Sequence, residues 1–118
     1  MDHHKLVLPE HINDQNSLFG GYLLKWLDEF AYITASIDFP GHRFVTIALE
    51  NVEFKHQINC GQILRFSVNK NRVGTTSVEY SVDVVGAKSP DESKRVLFAT
   101  NITFVNITES GQKAPIRQ

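Results

Sequence analysis

Leu18-Phe19-Gly20-Gly21-Tyr22-Leu23-Leu24-Lys25-Trp26-Leu27-Asp28-Glu29-Phe30-Ala31-Tyr32-Ile33-Thr34-Ala35-Ser36-Ile37 is the stretch on which the reading of this chain turns. From Tyr22 to about Ile37 its apolar residues recur at helical spacing. Leu23, Leu27, Phe30 and Thr34 form one stripe, flanked by Trp26 and Ile33. Lys25, Glu29, Tyr32 and Ser36 form a polar stripe. Within it, Lys25 and Glu29 are an i, i+4 pair of opposite charge, which supports a solvated face. Phe39-Pro40-Gly41 is a turn signal that stops the helix.

Outward from this helix the pattern changes. Upstream, residues 5–8 are a short apolar run ended by Pro9, read as a strand or extended lead-in, and residues 10–17 form a polar, Asn-rich loop. Downstream, the period becomes two. Residues 43–54 predict a strand whose apolar phase slips near Glu50 and Asn51, the mark of a bulge or bend. Residues 62–71 alternate with Leu64, Phe66 and Val68 on one face, residues 75–85 with Val78, Tyr80, Val82 and Val84, and residues 94–105 with Val96, Phe98, Ile102 and Phe104. Turn-rich breaks separate these runs at residues 59–61, 73–74 and 86–93. The order is strand, one long helix, four strands. The simplest packing is an α+β domain in which an antiparallel sheet wraps a single apolar helix. One helix cannot cover both faces of a sheet, so the other face or an edge asks for a partner, which favours a dimer.

At 118 residues the chain is one domain's worth, residues 1–118. Twelve basic against thirteen acidic side chains leave a net charge of −1, which argues against nucleic-acid binding through a general basic field. A single cysteine rules out an intrachain disulfide and a Cys-rich zinc site. The five histidines show no metal-binding spacing, so no metal is expected, and no P-loop or Gly-x-Ser-x-Gly elbow is present. No apolar run is long enough to span a membrane, and the first five residues lack the apolar core of a signal peptide. The expectation is a cytoplasmic domain without membrane contact. Asn101-Ile102-Thr103 and Asn106-Ile107-Thr108 match the glycosylation sequon but are read as strand residues.

Asp28 stands out because it lies off the polar stripe, on a line with Leu24, Ala31 and Ala35. A carboxylate among Leu and Ala is costly unless something compensates it. It suits a catalytic base or nucleophile, because burial raises the proton affinity of such a group. The plainer structural reading is an Asp paired with Lys25 or bridging to another element. Gly20 and Gly21, just before the helix, let a ligand approach backbone N–H groups at a positive helix end. They serve equally as a flexible turn. Asn13 can orient a water or a carbonyl, or simply make a turn. Lys70, Asn71 and Arg72 precede Gly74-Thr75-Thr76-Ser77, a combination that can hold phosphate or be a solvated hairpin.

Leu8-Pro9-Glu10-His11-Ile12-Asn13, followed by the stretch from Leu18 to Glu29, resembles the signature of the hotdog-fold acyl-CoA thioester hydrolases, of the bacterial short-chain and vertebrate cytosolic types. The likeness continues through Val45-Thr46, Asn51-Val52-Glu53-Phe54, residues 58–61 and Gly74-Thr75-Thr76-Ser77-Val78. Asn16-Ser17 stands where several bacterial relatives have Asn-Gly-Asp. The resemblance implies a hotdog fold, a five-stranded antiparallel sheet around one long central helix. It implies subunits that pair their sheets side by side, often three dimers to a hexamer, with active sites at the dimer interface. It puts Asp28 at the catalytic acid, and Asn13 at an Asn that acts with Asp28 of the partner subunit. Gly20 and Gly21 fall where amides face the thioester carbonyl, and Gly74, Thr75, Thr76 and Ser77 near the CoA moiety. Lys70 and Arg72 become candidates for the CoA phosphates, and Leu24, Trp26 and nearby Phe residues for the acyl pocket. The reaction expected is hydrolysis of acyl-CoA to a free acid and CoA, with no cofactor, since CoA belongs to the substrate. Asp28 would be general base or nucleophile, Gly21 with Gly20 would hold the oxyanion, and Asn13 would orient water or substrate. The competing classes are a non-hydrolytic acyl-CoA-binding hotdog module and a hotdog dehydratase or hydratase. The former would need an effector element for which the chain leaves no residues. The latter usually uses a His near the helix, and none lies between Leu18 and Phe39.

Overall fold

The helix α1 runs over Gly20–Asp38, two residues earlier than its apolar period announces. Gly20 and Gly21 are its first turn rather than a loop before it. The first N–H groups of any helix lack intrahelical partners, so poor helix formers cost least there. Two bonds fix the entry: the Phe19 N–H donates to the His11 carbonyl at 2.9 Å, and the Leu18 N–H to that of Ile58 at 2.8 Å. The computed structural model describes residues 1–117.

Five strands follow the expected order: β1 (Asp2–Leu6) before the helix, then β2 (Phe44–Phe54), β3 (Ile63–Val73), β4 (Ser77–Gly86) and β5 (Val96–Asn106). A 3-10 turn at Pro9–His11 and a short helix α2 (Pro90–Ser93) occupy predicted breaks. Every pairing is antiparallel and the spatial order is β1-β3-β4-β5-β2, so β1 and β2 are the edges. This is the hotdog arrangement. β1 begins before the predicted residues 5–8 because Asp2, His3 and His4 pair with Ser67, Phe66 and Arg65 along one side only. An edge strand half in solvent carries polar residues, and its sequence shows no apolar alternation.

The helix buries Leu23, Trp26, Leu27, Ala31, Thr34 and Ala35 against the sheet, with Phe30 and Ile33 at the margins of that face. Its centre is thus turned toward the two alanines, whose small side chains let the sheet come close. Opposite them sit Leu64, Phe66, Val68, Val78, Tyr80, Val82, Val84, Phe98, Ile102 and Phe104, all from the predicted inward faces. Each fully buried Leu or Phe contributes roughly 1.5–3 kcal/mol relative to exposure. The Lys25–Glu29 pair is not among the ion pairs of the described residues, and both side chains stand in solvent. The expected irregularity in β2 is there: register shifts fall between Thr46 and Ala48 and between Glu50 and Glu53, and Asn51 has φ +56°.

His3 lies flat on Phe30, ring centroids 4.8 Å apart, with Nε2 at 2.9 Å from the Thr34 hydroxyl. Burial first, then the positive N-terminus, holds its pKa below the ordinary 6.5, against an opposing pull from Asp2; His4 adds to the lowering. The unfolded chain therefore takes up this proton first. The contribution is present above the unfolded value and is lost as pH falls from there through the lower folded value. Melting temperature should drop between pH 7 and pH 5 more steeply in the wild type than in His3→Gln. Parallel slopes would remove His3 as the cause.

Candidate active site

Asp28 lies on the helix face that looks toward β2, and it is half-buried. The Thr46 hydroxyl donates to its Oδ1 at 2.6 Å. Lys25 does not pair with it. A short hydroxyl–carboxylate bond of this kind fixes a carboxylate's rotamer and occupies one oxygen, leaving Oδ2 for other work. Thr46 is the residue that sequence reasoning missed. In a strand, Thr is an ordinary residue; only the packing of β2 across α1 shows that it faces Asp28.

At the N-terminal end of the helix, Tyr22 donates its N–H to the Phe19 carbonyl at 3.0 Å, whereas the N–H groups of Gly20 and Gly21 meet no acceptor among the described residues. Together they form a donor pair at the positive end of a 19-residue helix. A Cβ on Gly21 would come within 2.6 Å of the Phe19 ring, and one on Gly20 would touch the Phe54 ring at 3.5 Å. The surface there is as close to bare backbone as the chain allows.

The Asn13 loop rises beside this point, from a neck where Ile12 bridges Leu18. Asn13 Oδ1 accepts from the N–H groups of Gln15 (2.9 Å) and Ser17 (3.2 Å) and from the Ser17 hydroxyl (3.4 Å). Asn13 is thus the turn-maker of its loop, and its Nδ2 remains available as a donor. His11 braces the loop from below: its Nδ1 accepts from the Leu8 N–H at 3.0 Å, and its ring packs on Tyr22 and Trp26. A cavity of about 370 Å³ opens between the loop and residues 54–58, floored by Leu23, Phe54 and Ile58 and rimmed by Gln15, Ser17 and Gln57. Trp26, an expected wall of an acyl pocket, is instead buried in the core, and Leu24 lines none of this cavity.

The candidates for phosphate do not all converge. Lys70 pairs with Tyr80 and reaches over the Phe39 ring at 5.2 Å, on the helix side of the sheet. A bulge at Asn71 then reverses the phase, so Arg72 pairs with Glu79 on the opposite face. Gly74, Thr75, Thr76 and Ser77 lead into β4 two strands from Thr46: Ser77 pairs with Val105, which pairs with Val45, next to Thr46. Among the described residues no cluster could hold a metal ion, and no helix is long and apolar enough to cross a membrane.

A single long helix packed on a five-stranded antiparallel sheet of order β1-β3-β4-β5-β2 defines the hotdog class. The chain belongs to the thioesterase superfamily, whose family model matches residues 15–92. Protein VdlD of Helicobacter pylori is 34% identical over 113 residues, 94% of this chain; the chain spans 63% of that protein's length. Among solved structures, the acyl-CoA hydrolase of Staphylococcus aureus, in complex with butyryl-CoA, CoA and CoA disulfide, superposes with TM-score 0.88 at 27% identity, over 98% of this chain and 70% of that one. A hexameric hotdog-fold thioesterase of Campylobacter jejuni matches with TM-score 0.82 at 26% identity, over 98% and 88% of the two chains.

Proposed function

We propose that this protein hydrolyses acyl-CoA thioesters to a free carboxylic acid and CoA, at a site shared by two copies of the chain. The observation that carries this reading is the Asp28 carboxylate, held by Thr46 at 2.6 Å, with its second oxygen meeting no hydrogen-bond donor among the described residues. The S. aureus and C. jejuni proteins, named as an acyl-CoA hydrolase and a hexameric thioesterase, support it.

The need for a second copy follows from helix geometry. Gly21 and Asp28 are seven residues apart, roughly 10 Å along the axis, too far to act on one carbonyl. The β2 edge is bare and apolar, with Val45, Ile47, Val52 and Phe54 all exposed. A two-fold copy pairing antiparallel along this edge covers it and runs the two helices in opposite directions. Asp28 of one subunit then meets Gly21 and Asn13 of the other. We infer a homodimer, assembled further to a hexamer, in the cytoplasm.

The chemistry needs no metal, because a thioester carbonyl is already electrophilic. Asp28 Oδ2 takes a proton from water, and the resulting hydroxide adds to the carbonyl carbon. The Gly21 amide, with Gly20, takes up the oxyanion. Asn13 donates from Nδ2 to hold substrate or water. Collapse breaks the C–S bond, and the CoA thiolate recovers the proton from Asp28. Gly74, Thr75, Thr76 and Ser77 line the way for CoA; Lys70 is placed to help on the helix side, and Arg72 is not.

The test is release of free thiol from a panel of acyl-CoA substrates of rising chain length. No release from any member would overturn the reading, and a tightly bound but intact acyl-CoA would favour the binding-module class. Thr46 acts through Asp28 as a positioning residue. Thr46→Val should lower kcat about tenfold with KM unchanged, and Thr46→Ser should restore it. A KM effect without a kcat effect would argue for a merely structural role.

A further inference from the structure

The cavity of about 370 Å³ beside the Asn13 loop begins at the donor pair of α1. Gly20 abuts the Phe54 ring, from which a Cβ would lie 3.5 Å away, and Phe54 and Leu23 belong to the cavity floor. An acyl group whose carbonyl rests on the Gly20 and Gly21 amides therefore extends into this space. If each non-hydrogen atom is given the roughly 30 Å³ that a water occupies, the cavity has room for an acyl group of several carbons and a polar end.

Beyond the floor, the walls are not those of a fatty-chain pocket. Lys55, His56 and Gln57 form one side, and Gln15 and Ser17 the other. No carboxylate lines it; the acids next in sequence, Asp14 and Glu53, are not part of the wall. Some of its donors are committed: Gln57 Nε2 donates to the Asn16 carbonyl (3.3 Å) and to Asn59 Oδ1 (3.2 Å), and the Ser17 hydroxyl to Asn13 Oδ1 (3.4 Å). The others are not. The Gln15 side chain and the His56 ring make no hydrogen bond among the described residues, and Lys55 Nζ has Glu53 Oε2 at 3.8 Å, with both side chains exposed. An exposed pair of that kind is worth little and yields readily to a better partner. Methylenes packed against this wall would take an ammonium and two amides out of water with nothing in return. An anionic end returns charge-assisted hydrogen bonds. In the proposed dimer Asp28 of the other subunit meets the carbonyl end, so like-charge repulsion turns a second carboxylate toward Lys55. A carboxylate three methylenes beyond a thioester carbonyl lies on the order of 5 Å from it, a span that a lysine side chain next to Phe54 can meet.

We propose that the acyl group this cavity selects ends in a carboxylate, as in a dicarboxylic acyl-CoA, with the Lys55 ammonium as its counter-charge and the Gln15 amide and the His56 ring as further donors. The proposal rests on the acyl-CoA reading above and deepens it. Lys55 sets specificity and takes no part in breaking the C–S bond. The test measures kcat/KM by thiol release for glutaryl-CoA and for its apolar isostere, in which two methyl groups replace the carboxylate oxygens. The wild type should favour glutaryl-CoA about tenfold. Lys55→Met should bring the two substrates level, and Lys55→Glu should invert the preference. Equal kcat/KM for the two in the wild type, or a preference that Lys55→Glu leaves unmoved, would overturn the proposal; cleavage of the isostere alone would do so while upholding the hydrolase reading. If the wild type cleaves neither thioester, the hydrolase reading fails on its own, and calorimetric affinities for the two intact thioesters, wild type against Lys55→Glu, still decide this one. Tighter binding of glutaryl-CoA that the substitution abolishes supports it, and equal affinities overturn it.

Discussion

Asp28→Asn is expected to lower kcat for acyl-CoA by about a thousandfold while leaving acyl-CoA binding within a few-fold of the wild type. The amide is nearly isosteric and still offers Oδ1 to the Thr46 hydroxyl, so the 2.6 Å contact that orients the side chain can persist. What disappears is the proton acceptor at the second position. Nothing else beside it substitutes: Lys25 and Glu29 point into solvent, and no His lies on the helix. The measurement is thiol release under saturating substrate, together with calorimetric affinity. Hydrolysis within tenfold of the wild type would remove Asp28 from the mechanism.

The second large effect is a recovery rather than a loss. Asn13→Ala frees the N–H groups of Gln15 and Ser17 and removes the only side-chain donor argued for that loop. It should cost a hundredfold or so in turnover without unfolding the chain. If Asp28 of one subunit works with Asn13 of the other, a dimer of one Asp28→Asn chain and one Asn13→Ala chain has one site with both defects and one with neither. Random mixing of the two inactive variants should then restore about a quarter of wild-type activity. Activity that stays at the level of the inactive parents after subunit exchange, verified by mass, would place both residues in one chain's site and contradict the helix arithmetic.

Much of the fold is legible because it rests on periodicity. The inward faces of β3, β4 and β5 alternate from Leu64 to Phe104, and a 3.6-residue pattern occurs once, at α1, ahead of them. The misreadings share one cause: local pattern is silent where tertiary contacts decide. Asp2, His3 and His4 form an edge strand that no apolar period marks. Gly20 and Gly21 are helical because the loop beneath them fixes Phe19, against their own propensity. Lys70 and Arg72 read as one basic cluster, and the bulge at Asn71 puts them on opposite faces. For the site, Asp28 could be singled out by its place among small apolar residues, but its partner Thr46 could not, since 18 positions separate them and only the sheet closes that gap. Likewise, the double role of Asn13 depends on which of its two polar atoms the loop consumes.

The outer margin of the sheet carries a further meaning. Along Phe44–Phe54 the only charges are Glu50 and Glu53, both of the same sign and both toward one end. A sister strand sliding out of step would bring acid against acid, whereas the greasy half tolerates any neighbour. In the proposed dimer, repulsion at one end would therefore select the alignment that burial alone would leave open, and a newly made chain would carry an unguarded ribbon until a correctly aligned mate arrived.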